Sequence, residues 1–109
     1  MNVHVRAAST ADIDAWSAMR VALWPDADPD ELRVEALAWD TGSGIALIAV
    51  DDGDHAIGMA EASLRRDYVN GTDGSPVGFL EAWYVDADHR GRGVGRALIA
   101  AVEAWTREQ

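Results

Sequence analysis

The 109-residue sequence contains no cysteine. That excludes a disulfide framework, a thiolate nucleophile and any cysteine-held zinc or iron–sulfur site. Long apolar runs are missing as well, and none approaches the roughly 20 residues that cross a bilayer as a helix. The opening Met1-Asn2-Val3-His4-Val5-Arg6 lacks the basic-then-apolar pattern of a signal peptide, so a cytoplasmic protein without membrane contact is expected. Basic residues are scarce: nine Lys+Arg stand against nineteen Asp+Glu, for a net charge of −10. Such a surface repels phosphate backbones, so nucleic acid is not an expected partner, whereas a polycation would be attracted. His4, His55 and His89 show no metal-ligand spacing, and Asp51-Asp52-Gly53-Asp54-His55 is too compact for a calcium loop, so no metal is expected.

What remains is ordinary globular material, 49% hydrophobic and 26% charged, in a length that suits one domain over residues 1–109. Val3 and Val5 alternate with polar neighbours as a short strand. Thr10 is placed to cap a helix over about 11–24, with Ile13, Trp16, Met19 and Leu23 as its buried stripe and Pro25 as its stop. Asp28-Pro29-Asp30-Glu31 starts a second helix, with cap, proline and acids in the order that the helix dipole favours. Ile45 to Val50 and Ala56 to Leu64 form an antiparallel hairpin across the Asp51–Asp54 turn. A turn-rich loop follows, then a strand from Phe79 to Val85. The last helix carries Val94, Ala97, Leu98, Ala101, Val102 and Trp105 on one face. Trp16, Trp39 and Trp105 read as core.

The informative segment lies between that strand and that helix. Asp86-Ala87-Asp88-His89-Arg90-Gly91-Arg92-Gly93-Val94-Gly95-Arg96 sets three arginines among three glycines, a local anion site on an acidic chain. Strand, glycine turn and helix bring unsatisfied N–H groups and the positive end of a helix dipole to one point. The dinucleotide fingerprint fails because Arg96 stands where its last glycine belongs, and the P-loop string is absent. The string that fits is Arg-x-x-Gly-x-Gly, as Arg90-Gly91-Arg92-Gly93-Val94-Gly95.

Placed after Leu80-Glu81-Ala82-Trp83-Tyr84-Val85, that string resembles the acetyl-CoA signature of the GNAT superfamily of N-acetyltransferases. The resemblance implies an α/β (α+β) fold, a mixed and mostly antiparallel sheet flanked by helices in the order β-α-α-β-β-β-α. It implies that Arg90, Gly91, Arg92, Gly93, Val94, Gly95 and Arg96 hold the pyrophosphate of coenzyme A, while Trp83, Tyr84 and Val85 pair with its pantetheine arm. Leu23-Trp24-Pro25-Asp26, Glu61-Ala62-Ser63, Tyr68-Val69-Asn70-Gly71-Thr72, Ser75-Pro76-Val77 and Phe79-Leu80-Glu81 follow in order and resemble aminoglycoside 6′-N-acetyltransferases. These fragments cover nearly the whole chain. Ala82 stands where that family often has glycine. The family's further strand, helix and closing hairpin have no counterpart here, which suggests a domain truncated at its C-terminal end.

The resemblance implies acetyl transfer from acetyl-CoA to the 6′-amine of an aminoglycoside, as in antibiotic resistance. Without cysteine, direct attack in a ternary complex is favoured over an acyl-enzyme through sulfur. A carboxylate must then take the proton of the arriving ammonium. Glu81 is the first candidate, placed by strand alternation on the face of Trp83 and Val85 and expected among apolar neighbours. Backbone N–H groups near Val85 could polarise the thioester carbonyl. Trp24 and Tyr68 are the substrate-side candidates, since flat aromatic faces suit a sugar ring and a nearby ammonium. Glu61 could read an ammonium group, whereas Asp26 and Asp28 read as solvated surface. A homodimer is compatible with this picture. Two other outcomes stay open: acetylation of a polyamine or peptide amine, and a non-catalytic coenzyme-binding fragment that needs a complementing segment.

Overall fold

The structure, a computed structural model, describes residues 2–65 and 77–109. Its first half consists of β1 (His4–Ala7), a 3-10 turn at Thr10–Asp12, α1 (Ile13–Leu23), α2 (Pro29–Leu37) and β2 (Gly44–Val50). Next come β3 (Ala56–Arg65), β4 (Val77–Val85), a second 3-10 turn at Ala87–His89, and α3 (Val94–Arg107). The element order expected from the sequence is the one observed. The four strands lie in the order β1-β2-β3-β4, and all three pairings are antiparallel.

Both faces of the sheet are covered, which explains the unbroken apolar run of β2. Ala46, Ile48 and Val50 point toward α1 and α2, where they join Trp16, Met19, Ala36, Met59 and Ala82. Leu47 and Ala49 point the other way and pack with Ile57, Ala60, Val94, Leu98 and Val102 beneath α3. Trp16 and Trp39 meet edge to face at 6.3 Å between ring centroids, as core aromatics do.

The first helix is entered differently from the expectation. Thr10 is not the cap: Ser9 caps the 3-10 turn that leads into α1, where Asp12 reaches back and accepts the Ser9 N–H at 2.8 Å, and Asp12 itself stands at the N-cap of α1. Arg6 on β1 grips the same carboxylate through two N–H groups at 2.7 and 2.8 Å. Those hydrogen bonds, acting with the Arg6 charge against the opposing effect of burial, hold the Asp12 carboxyl below its ordinary value. α2 begins as read: Asp28 accepts the Asp30 N–H at 2.9 Å and Pro29 opens the first turn.

Candidate active site

β4 carries the irregularity that shapes the site. Glu61 pairs with Ala82 while the next β3 residue, Ala62, pairs with Leu80, so Glu81 is an extra residue with no cross-strand partner. Such a bulge reverses the alternation of side chains beyond it. Leu80 therefore lines a hollow beside α3 with Ile99 and Thr106, whereas Ala82 packs into the core under α1. Trp83 and Val85 return to the α3 side. Glu81 points to the α1–α2 side, where it accepts hydrogen bonds from Ser63 Oγ at 2.5 Å and from Arg65 at 3.1 Å. The expectation that Glu81 shares a face with Trp83 and Val85 is thus corrected, because strict alternation fails at a bulge. Its neighbours are a hydroxyl and a guanidinium, and its side chain is 36% exposed.

On the α3 side a cleft of about 520 Å³ is lined by Trp83, Val85, Arg90, Gly91, Gly93, Gly95, Arg96 and Ile99. Gly91 and Gly93 adopt left-handed backbone, with φ of 78° and 85°, which favours glycine at both turns. Gly93 caps α3 without a side chain, so the N–H groups of Val94, Gly95 and Arg96 are left to face a ligand. Gly95 also has a packing reason: a Cβ there would come within 2.9 Å of the Trp83 ring. Arg90 is braced by its Nε, which donates to the Val85 carbonyl at 2.9 Å, and Arg92 is exposed. Val94 is buried beneath the helix, so only its backbone can contribute.

The outer edge of β4 can be read from the ladder. Asp86 donates its N–H to the Ile57 carbonyl at 2.8 Å, so two residues earlier Tyr84 turns its backbone groups toward Met59. The N–H groups of Trp83 and Val85 face away from β3, where no strand lies among the described residues. Tyr84 does not reach this edge: its backbone faces the sheet and its ring packs against the core on the α1 side.

On the α1–α2 side a cleft of about 800 Å³ is lined by Trp24, Glu31, Glu35, Trp39, Asp40, Ser63 and Glu81, with Arg20 and Glu61 at its base. Trp24 and Glu81 are brought together as the sequence suggested. Tyr68 lies outside the described residues. Glu61 is 1% exposed and fully engaged: Trp16 Nε1 donates to it at 2.8 Å, and Arg20 donates from Nε and Nη2 at 2.7 and 2.8 Å. It therefore anchors the wall instead of meeting an ammonium. Burial works against the Arg20 charge, but Glu61 and Glu35 overcome it and raise the guanidinium above its ordinary value. Composition gave no sign that a buried arginine would neutralise Glu61. A smaller hollow of about 310 Å³, lined by Leu23, Trp24, Leu80, Glu81, Ala82 and Trp83, adjoins both clefts at the bulge.

An acidic cleft and an anion-binding turn that meet at one bulged strand suit transfer of a group from a phosphate-bearing carrier to a cationic acceptor. The sequence profile of the acetyltransferase (GNAT) family matches residues 12–109, and the chain belongs to that family. It is 53% identical over 105 residues to an aminoglycoside N(6′)-acetyltransferase type 1 of Stenotrophomonas maltophilia, covering 95% of this chain and 67% of that protein. An aminoglycoside N-acetyltransferase solved in complex with CoA superposes with a TM-score of 0.87 at 38% identity, over 98% of this chain and 70% of the other. A further structure, in complex with the bisubstrate analog CoA-S-monomethyl-acetylneamine, gives 0.83 at 39% identity, over 99% and 74%. The chain thus spans about two thirds of the first relative's length. Among the described residues no helix is long and apolar enough to cross a membrane, and no three His, Asp or Glu side chains gather as a metal site would need.

Proposed function

We propose that this chain, a single domain acting in the cytoplasm, carries the coenzyme and acceptor sites of an acetyltransferase that modifies the 6′-amine of aminoglycosides. The observation that carries this is the bulge, which turns Glu81 into the acidic cleft while Trp83, two residues on, faces the anion-binding cleft. The glycine turn fits coenzyme A: open space at Gly91 and Gly93, free helix-start N–H groups, and Arg90 and Arg96 alongside suit a pyrophosphate. The outward N–H groups of Trp83 and Val85 suit the amide-bearing pantetheine arm, and that of Val85 can polarise a thioester carbonyl.

Acetyl-CoA, when bound, supplies the acetyl group as a thioester. The acceptor arrives as an ammonium and is drawn by Glu31, Glu35, Asp40 and Glu81. Trp24 offers a flat face to the sugar ring. Glu81 takes the proton from the amine, directly or through water, so that the lone pair can attack.

The test is release of free thiol from acetyl-CoA by the chain with and without kanamycin. Kanamycin-dependent release is expected. Glu81→Gln should lower kcat by about 100-fold or more while leaving the fold and coenzyme affinity in place. Full activity in that variant would remove Glu81 from the proton path, and release stimulated by a polyamine or peptide but not by kanamycin would move the acceptor class.

A further inference from the structure

A cation outside the lining of the acidic cleft is tied to one of its carboxylates, Glu81. Arg65, at the end of β3, donates from Nη2 to Glu81 Oε1 at 3.1 Å, and its guanidinium lies 4.3 Å from the Phe79 ring centroid. Ser63 Oγ donates to the same carboxylate oxygen. Glu81 is thus fixed from two sides by β3, and one of those holds carries a positive charge. The guanidinium that does line the cleft, Arg20, is 6% exposed and neutralised by Glu61, so it is not available to an incoming group. Arg65 is half-exposed, and among the described residues it is held by stacking on Phe79 and by its hydrogen bond to Glu81.

We infer that Arg65 is a resident counter-cation of the acceptor site, a positioning residue that acts through Glu81 and is displaced when a substrate ammonium binds. The inference rests on the acceptor assignment above. In the empty site Arg65 holds the carboxylate extended into the cleft and satisfies its charge. An arriving ammonium takes over the hydrogen bond on Oε1, and the guanidinium is released from Glu81 toward solvent. The exchange sets a threshold: a weakly charged amine gains too little to displace Arg65, whereas a polycation also gains from Glu31, Glu35 and Asp40 across the cleft. Among the described residues, the charged groups around Glu81 are then Arg65 from β3, the self-cancelling Glu61–Arg20 pair, the two glutamates of α2, and Asp40.

The direction of the expected effect is what separates this role from a structural one. Removing a merely structural side chain weakens binding or leaves it alone, but removing a competitor tightens it. Calorimetric titration of kanamycin into the chain and its Arg65→Gln and Arg65→Lys variants, with coenzyme A present, reads this out. Arg65→Gln should bind three- to fivefold more tightly at low salt, about the strength of one exposed ion pair. The difference should vanish near 0.5 M salt. Arg65→Lys keeps the charge and should bind like the unmodified chain. Binding by Arg65→Gln where the unmodified chain binds nothing would support the same role. If the unmodified chain binds and Arg65→Gln binds equally or more weakly, Arg65 is not a competitor and the acceptor assignment stands. Tightening in both variants also overturns the inference, since lysine retains the competing charge. No binding in any of the three overturns it together with the acceptor assignment.

Discussion

Two glutamates of one cleft show how much a single residue's partners decide. Glu61 and Glu81 line the same cleft, yet Glu61 is 1% exposed with three donors on it while Glu81 is held at the surface by Ser63 and Arg65. A buried carboxylate stripped of its guanidinium, or the reverse, leaves an uncompensated charge, which costs far more than the pair itself is worth. Glu61→Gln should therefore destabilise the fold by about 3 kcal/mol or more, read as a lower denaturant midpoint. The double variant Arg20→Met with Glu61→Met should recover most of that loss, because two apolar side chains of similar volume need no solvation. A double variant as unstable as the single one would show that the helix–sheet contact depends on the ion pair for more than charge balance. Neither the burial of Arg20 nor its two-pronged hold on Glu61 is legible in the sequence, where the residues stand 41 positions apart and a charged residue on a helix reads as surface.

At the scale of elements, what was legible followed from repeating patterns, and what was not came from breaks in them. The stripe of α3 buries Val94, Leu98 and Val102 as its spacing requires, and the apolar run of β2 alternates between two cores. The glycine turn was legible because its backbone demands are written in residue type. The bulge at Glu81 was not, since inserting one residue leaves no mark in composition, and it moved the key carboxylate to the opposite face. The entry to α1 shows the same limit: Ser9 and Thr10 are both good caps in sequence, and the geometry is decided by Asp12, which Arg6 holds from β1. That arrangement gives a signed pH dependence. Asp12 sits below its ordinary value in the folded chain, so it contributes stability above the unfolded carboxylate range near pH 4 and loses it as pH falls through the native value. Arg6 is 41% exposed, so solvent limits the pair and Asp12→Asn should cost only about 1 kcal/mol at neutral pH. Chemical denaturation at pH 7 and pH 3 should show that difference shrinking toward zero in acid. A constant difference would assign the loss to helix capping without the charge.

The whole molecule sets two tendencies against each other. Its net charge of −10 makes copies repel, which favours monomers in dilute salt. Along the outer edge of β4, however, Phe79, Leu80 and Trp83 are 36%, 43% and 48% exposed beside backbone groups with no strand partner among the described residues. An edge with exposed apolar side chains is a template for pairing with another chain. The two forces differ in range and in their response to salt. Charge repulsion acts over a screening length of roughly 30 Å at 0.01 M ionic strength but only about 3 Å at 1 M, whereas apolar burial acts at contact and is not screened. Salt should therefore tip the balance toward association. Sedimentation of this chain is expected to show monomer at low ionic strength and a growing, concentration-dependent larger species as sodium chloride rises. Leu80→Glu should suppress that species, because it places a charge in the middle of the apolar edge without touching either cleft's polar groups. A sedimentation coefficient that ignores both salt and concentration would mean that the bulge and the edge side chains already protect the strand, and that the −10 charge is not what keeps copies apart.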